Sequence, residues 1–99
     1  MFEQLDFWAE VQQPGDWVSY HGRELTFDEI TQRVGQLIVW DMSTQSHEWF
    51  KVVRVEKIVF CDGHRRVVFY DGGKQRGYCS EIYFNPTTTH PARAYLLTP

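Results

Sequence analysis

Hydrophobic and polar positions change period several times along this chain, and each change marks an element. Between Phe2 and Val11 the apolar residues Phe2, Leu5, Trp8 and Ala9 recur at spacings of three and four, the stripe of a short amphipathic helix. Gln13-Pro14-Gly15-Asp16 then reads as a turn, because proline fixes φ and glycine takes a positive φ freely. A strand is expected over Trp17 to His21, and Gly22-Arg23 offers a reversal from which Glu24 and Leu25 pair back on it. Next comes the best helix signal. Thr26 stands three residues before Glu29, a capping-box spacing, while Phe27, Ile30 and Val34 fall on one face and Gly35 sits where a left-handed cap would end the run. The spacing predicts a helix over Thr26 to Val34 with its stripe against a sheet.

The stretch from Gln36 to Asp71 holds three β-rich runs, and the rest of the chain is expected to pack on it. Gln36 to Asp41 is its first strand and the polar run Met42 to His47 a loop. In the long run Glu48 to Phe60, Phe50 and Val52 share one phase, Val53 and Val55 take the other, and Ile58 and Phe60 return to the first. A flat strand with one buried face cannot do this, so a bulge or sharp bend is implied. Asp62-Gly63 is a two-residue hairpin turn, since both residues tolerate positive φ. It would set Cys61 opposite His64, Phe60 opposite Arg65, Ile58 opposite Val67 and Glu56 opposite Phe69, with Ile58, Phe60, Val67 and Phe69 on a core face. Residues 71–77 make a longer reversal. A strand-like run follows from Tyr78 to Phe84, then a loop from Asn85 to Pro91 and a last strand over Ala92 to Leu97.

These elements describe a mainly-β (α+β) domain: a strongly bent antiparallel sheet or small barrel of five to seven strands with one or two short helices. With 99 residues, 42% hydrophobic and 23% charged, residues 1–99 are expected to form a single domain with a single core. No stretch reaches the roughly 20 apolar residues that span a bilayer, and MFEQLDFWAEV has acids where a signal peptide needs positive charge, so no membrane and a cytoplasmic location are expected. Cys61 and Cys79 read as free thiols.

Charge sharpens this picture. The net charge of −3 is polarised: residues 1–50 carry nine acids and two bases, residues 51–76 three acids and seven bases, and the remainder cancels. Lys51, Arg54, Arg65, Arg66, Lys74 and Arg76, with Lys57, could form a basic face for nucleic acid or another polyanion, or a solvated sheet edge. The reversal at 71–77 has three glycines, Lys74 and Arg76, which could cradle a phosphate or carboxylate, although it matches no phosphate-loop motif. Cys61 and His64 have the spacing of zinc ligands, but a structural zinc site needs a second pair, and an ordinary hairpin accounts for them; no metal and no cofactor are expected.

Four tryptophans and five tyrosines are more than so small a core readily buries. Trp8, Trp17, Trp40, Trp49, Tyr70 and Tyr78 are therefore candidates for a surface that binds a protein partner, a small apolar ligand or a second copy. His21, His47, His64 and His90 are scattered over turns and loops, and Ser19, Ser43, Ser46 and Ser80 lie in no nucleophile-elbow setting, so no enzyme is expected. The function expected is that of a non-catalytic binding or adaptor domain, with nucleic-acid binding through segment 51–76 as the alternative.

VSYHGRELTFDEITQRVGQLI, residues 18–38, resembles the strand, reversal and capped helix near the start of adenylate-forming enzymes. Those enzymes are several times longer and depend on phosphate-loop and acyl-transfer motifs absent here, so the resemblance implies the local strand-turn-helix and no adenylation activity. The order of bent strands from Gln36 to Leu97 is similar to SH3-like small barrels, a likeness of architecture that leaves function open.

Overall fold

The computed structural model describes residues 12–44, 46–74 and 76–98. Trp8 and the helix expected over Phe2 to Val11 lie outside them. The described residues form strands β1 (Trp17–Val18) and β2 (Glu24–Leu25), helix α1 (Phe27–Thr31), and strands β3 (Leu37–Asp41), β4 (Phe50–Cys61), β5 (His64–Tyr70) and β6 (Gly77–Ser80). A 3-10 turn, Glu81–Phe84, and strand β7, Ala94–Leu96, follow. The fold is mainly β: one antiparallel sheet in the order β2-β7-β3-β4-β5-β6, with β1 paired to β4. Among the described residues the sheet is not closed, and no helix is long and apolar enough to cross a membrane.

β4 is the spine. Its first half pairs with β3, from Asp41 opposite Phe50 to Leu37 opposite Arg54, and its second half with β5. The register shifts between Val55 and Lys57, which leaves Glu56 as the extra residue of a bulge. Val52 and Val53 are both inaccessible although neighbours in a strand face opposite ways, so this part of the sheet is covered on both sides. Val53 and Val55 join Leu25, Phe27, Ile30, Ile38, Trp40, Val67, Phe69 and Ala94 in the main core. Side chains of this kind contribute about 1.5–3 kcal/mol each when fully buried. Val39 and Val52 are buried on the other face, where the ring of Tyr95 stacks on His21 with 4.0 Å between centroids.

Several local signals act as the sequence implies. Asp62 and Gly63 take φ of 55° and 80°, the two left-handed residues of the β4–β5 turn. Thr26 caps α1 in a full capping box: its hydroxyl accepts from the Glu29 backbone N–H, and the Glu29 carboxylate accepts from the Thr26 backbone N–H. Other expectations are corrected. α1 ends at Thr31, because the chain tightens into a turn in which Gln36 N–H reaches the Arg33 carbonyl and Gly35 N–H the Val55 carbonyl. Val34 is left 51% exposed. The strand expected over Trp17 to His21 is two residues long and lies on β4, while Glu24 and Leu25 pair with β7, opposite Tyr95 and Ala94.

The bulge places Val55 opposite Phe69, where an unbroken ladder would have put Glu56. Phe60, expected in the core, is 75% exposed, because it sits beside the turn, at the end of the hairpin. The run expected as one strand from Tyr78 to Phe84 splits at Ser80, whose hydroxyl accepts from the Ile82 backbone N–H and starts the 3-10 turn. That turn carries Phe84 to the core, edge-on to Phe27 and Trp40.

Candidate binding surfaces

Trp17 stands in β1 and Trp49 immediately before β4, and the pairing of β1 with β4 brings them together. Their rings meet edge to face with centroids 5.0 Å apart, and they remain 53% and 44% exposed. The backbone beneath is tied down: Trp49 N–H donates to Ser43 Oγ, and Met42 N–H to the Trp49 carbonyl. Lys51, opposite Trp17 in the ladder, holds its ammonium 5.0 Å from the Trp17 ring centroid and 3.8 Å from the Asp71 carboxylate. Two exposed aromatic rings thus stand together on a backbone tied by hydrogen bonds.

Trp40 has a different place. It is 6% exposed, with its ring centroid 4.5 Å from that of Phe69, and belongs to the core, because β3 is covered on both sides. Tyr70 is half-buried and Tyr78 is 64% exposed. Ile82 and Tyr83, exposed on the 3-10 turn, and Phe60 at the hairpin end add apolar surface that strand periodicity hid. Only the capping serine at position 80 signalled that Ile82 and Tyr83 leave the sheet.

The basic segment does not make one face. Arg65 lies between Asp28, at 2.8 Å, and Glu81, at 3.1 Å, with its guanidinium 5.1 Å from the Phe27 ring centroid, and so joins α1 and the 3-10 turn to β5. The Arg65 side chain, then its backbone N–H, lowers the Glu81 carboxyl below the usual carboxylate range. Arg54 and Arg76 share Glu56, at 3.3 and 3.4 Å, and Lys51 faces Asp71. Among the described residues Lys57, Arg66 and Lys74 have no carboxylate partner.

The glycines of the 71–77 reversal serve close approach. A Cβ on Gly72 would lie 2.5 Å from the Pro14 carbonyl oxygen, and one on Gly15 2.8 Å from that of Asp71, so the two turns meet backbone to backbone. The Gly73 N–H already donates to the Asp71 carboxylate, which leaves that donor unavailable to an anion. Among the described residues no three His, Cys, Asp or Glu side chains are placed to hold a metal. Cys61 faces His64 across the turn, whereas Cys79 packs against the core from β6, where burial pushes its thiol up to about 11.

An open cavity of ≈ 230 Å³ is lined by Asp41, Ser43, Thr44, Thr89, His90, Pro91 and Arg93. The Ser43 hydroxyl accepts from the Trp49 backbone N–H, and the Ser43 backbone N–H donates to the Asp41 carboxylate. No protein-family model, curated protein or solved structure matches this chain.

Proposed function

We propose that this chain is a small non-catalytic binding domain that takes a protein partner through Trp17 and Trp49. The observation that carries the reading is the edge-to-face pair itself, with both rings about half exposed and both backbones held by the frame. Tryptophan brings large apolar area at low entropic cost and dominates many interfaces, above all where it is rigid before contact. Met42, 42% exposed and bonded through its backbone to Trp49, extends the patch. The likeness to SH3-like small barrels belongs to the same proposal, supported by a long bulged strand that serves two halves of the sheet. Free Cys61 and Cys79 suit a reducing compartment such as the cytoplasm.

Self-association and a small apolar ligand are the rival uses of such a surface. Light scattering over a dilution series separates self-association from binding to other molecules. Iodide should quench part of the tryptophan emission, and Trp17→Phe with Trp49→Phe should lower the quenched part. A strictly monomeric protein whose tryptophans all resist quenching would leave the reading without a surface.

A further inference from the structure

Two arginine–tyrosine cation–π contacts stand on the face of β4–β5–β6 that points away from the main core. Arg66 and Tyr70 share it by strand alternation, since Val67 and Phe69 between them are core residues. The Arg54 guanidinium lies 5.1 Å from the Tyr70 ring centroid, and that of Arg66 lies 4.9 Å from the ring of Tyr78. Lys57 is on the same face, in a row with Val68 and Tyr78 across the three strands, and Arg76 reaches it through Glu56. Among the described residues the face therefore gathers four cations, two of them paired to the Glu56 carboxylate, in a chain whose net charge is −3. Lys51 and Arg65, which could have joined them, are turned to acids elsewhere.

The geometry points to this face as a site for a single-stranded polynucleotide, independent of the tryptophan pair. Charge complementarity names a polyanion, and the aromatic rings narrow the choice. Guanidinium groups and phenol rings both offer flat surfaces on which a base can stack, and such stacking tolerates any sequence. Tyr78 lies opposite Val68, so Tyr70 is its diagonal neighbour, about 7–8 Å away between backbones. That is wider than the 3.4 Å per nucleotide along one duplex strand, so the two platforms suit bases spread along an extended single strand. A flexible acidic peptide would use the cations and leave the rings idle. Small cation number and overall negative charge make the binding weak and sensitive to salt.

The test is fluorescence anisotropy of labelled oligo-dT and oligo-U against the whole chain at low salt, with polyglutamate of matched charge as competitor. Binding is expected for both oligonucleotides, with polyglutamate a poor competitor. Lys57→Ala combined with Arg66→Ala should reduce the slope of log K against log salt by about 1.4, at roughly 0.7 per phosphate contact. Tyr78→Ala should weaken binding about five-fold or more with the slope unchanged. Trp17→Phe and Trp49→Phe should change neither quantity, which keeps this test separate from that of the tryptophan surface. Absence of binding to the unmodified chain, equal competition by polyglutamate, or full affinity in Tyr78→Ala would each overturn the proposal. Circular dichroism of each variant confirms that the sheet is intact, and the exposure of Tyr78 and Lys57 makes them safe to truncate.

Discussion

Replacing Ile30 by Ala tests what holds α1 in place. A helix of five residues is far below the roughly 12–15 at which an isolated helix becomes even marginal, so packing must carry it. Ile30 is inaccessible to solvent and sits in the main core with Phe27. Ile30→Ala removes three carbons at about 0.8 kcal/mol each, or about 2.4 kcal/mol of transfer free energy. The cavity left behind adds to this, so the expected cost is about 3 kcal/mol, within the usual range of about 2–5. Val34→Ala is the control. Val34 lies on the same apolar stripe in the sequence but is 51% exposed beyond the end of the helix, so its loss should stay within about 0.5 kcal/mol. Urea titration followed by tryptophan emission reads both, with buried Trp40 as the reporter of the core. At m values of about 1–3 kcal/mol/M, Ile30→Ala should lower the midpoint by roughly 1–3 M and Val34→Ala should barely move it. Equal costs at the two positions would refute the reasoning, because they would mean that the helix runs on and buries Val34 as well.

Gly77→Ala should cost about 1–3 kcal/mol through overpacking, since a Cβ there would run into the Phe69 ring. The cost should shrink in a Phe69→Leu background, and a double-mutant cycle with no coupling would show that the ring is not the obstacle. Glu29 is held at about 2 by the Arg23 side chain and then by the Thr26 backbone N–H. Because the folded value is depressed, the stabilisation is complete above the ordinary value of 4.5 and is lost as pH falls through about 2. Arg23→Ala should therefore raise the Glu29 midpoint toward 4.5 in an NMR titration of its side-chain carbon, and an unmoved midpoint would assign the shift to the cap alone.

Local signals were legible wherever a short-range interaction decides the outcome by itself. Thr26 and Glu29 satisfy each other within one helical turn, and Asp62-Gly63 supplies two left-handed residues. The return of phase between Val55 and Ile58 announced the bulge at Glu56, whereas the earlier change between Val52 and Val53 marks a regular ladder covered on both faces. Trp17 and Trp40 were named for the surface alike, although the core encloses Trp40, and the partnership of Trp17 with Trp49 was not legible, because thirty-odd residues separate them and only the pairing of β1 with β4 closes that gap. The sequence by itself thus determined a mainly-β chain, the N-cap of α1, the β4–β5 turn and a polarised charge. The tertiary structure decided which apolar residues are buried: Trp40 is enclosed by Phe69 and Phe84, while Phe60 and Val34, equally apolar, are left to solvent. It also decided which cations are neutralised, taking Arg65 to Asp28 and Glu81 and leaving Arg66 against Tyr78. Burial and ion pairing depend on which elements meet across the sheet, and that register is set by long-range strand order, to which periodicity along the chain is blind.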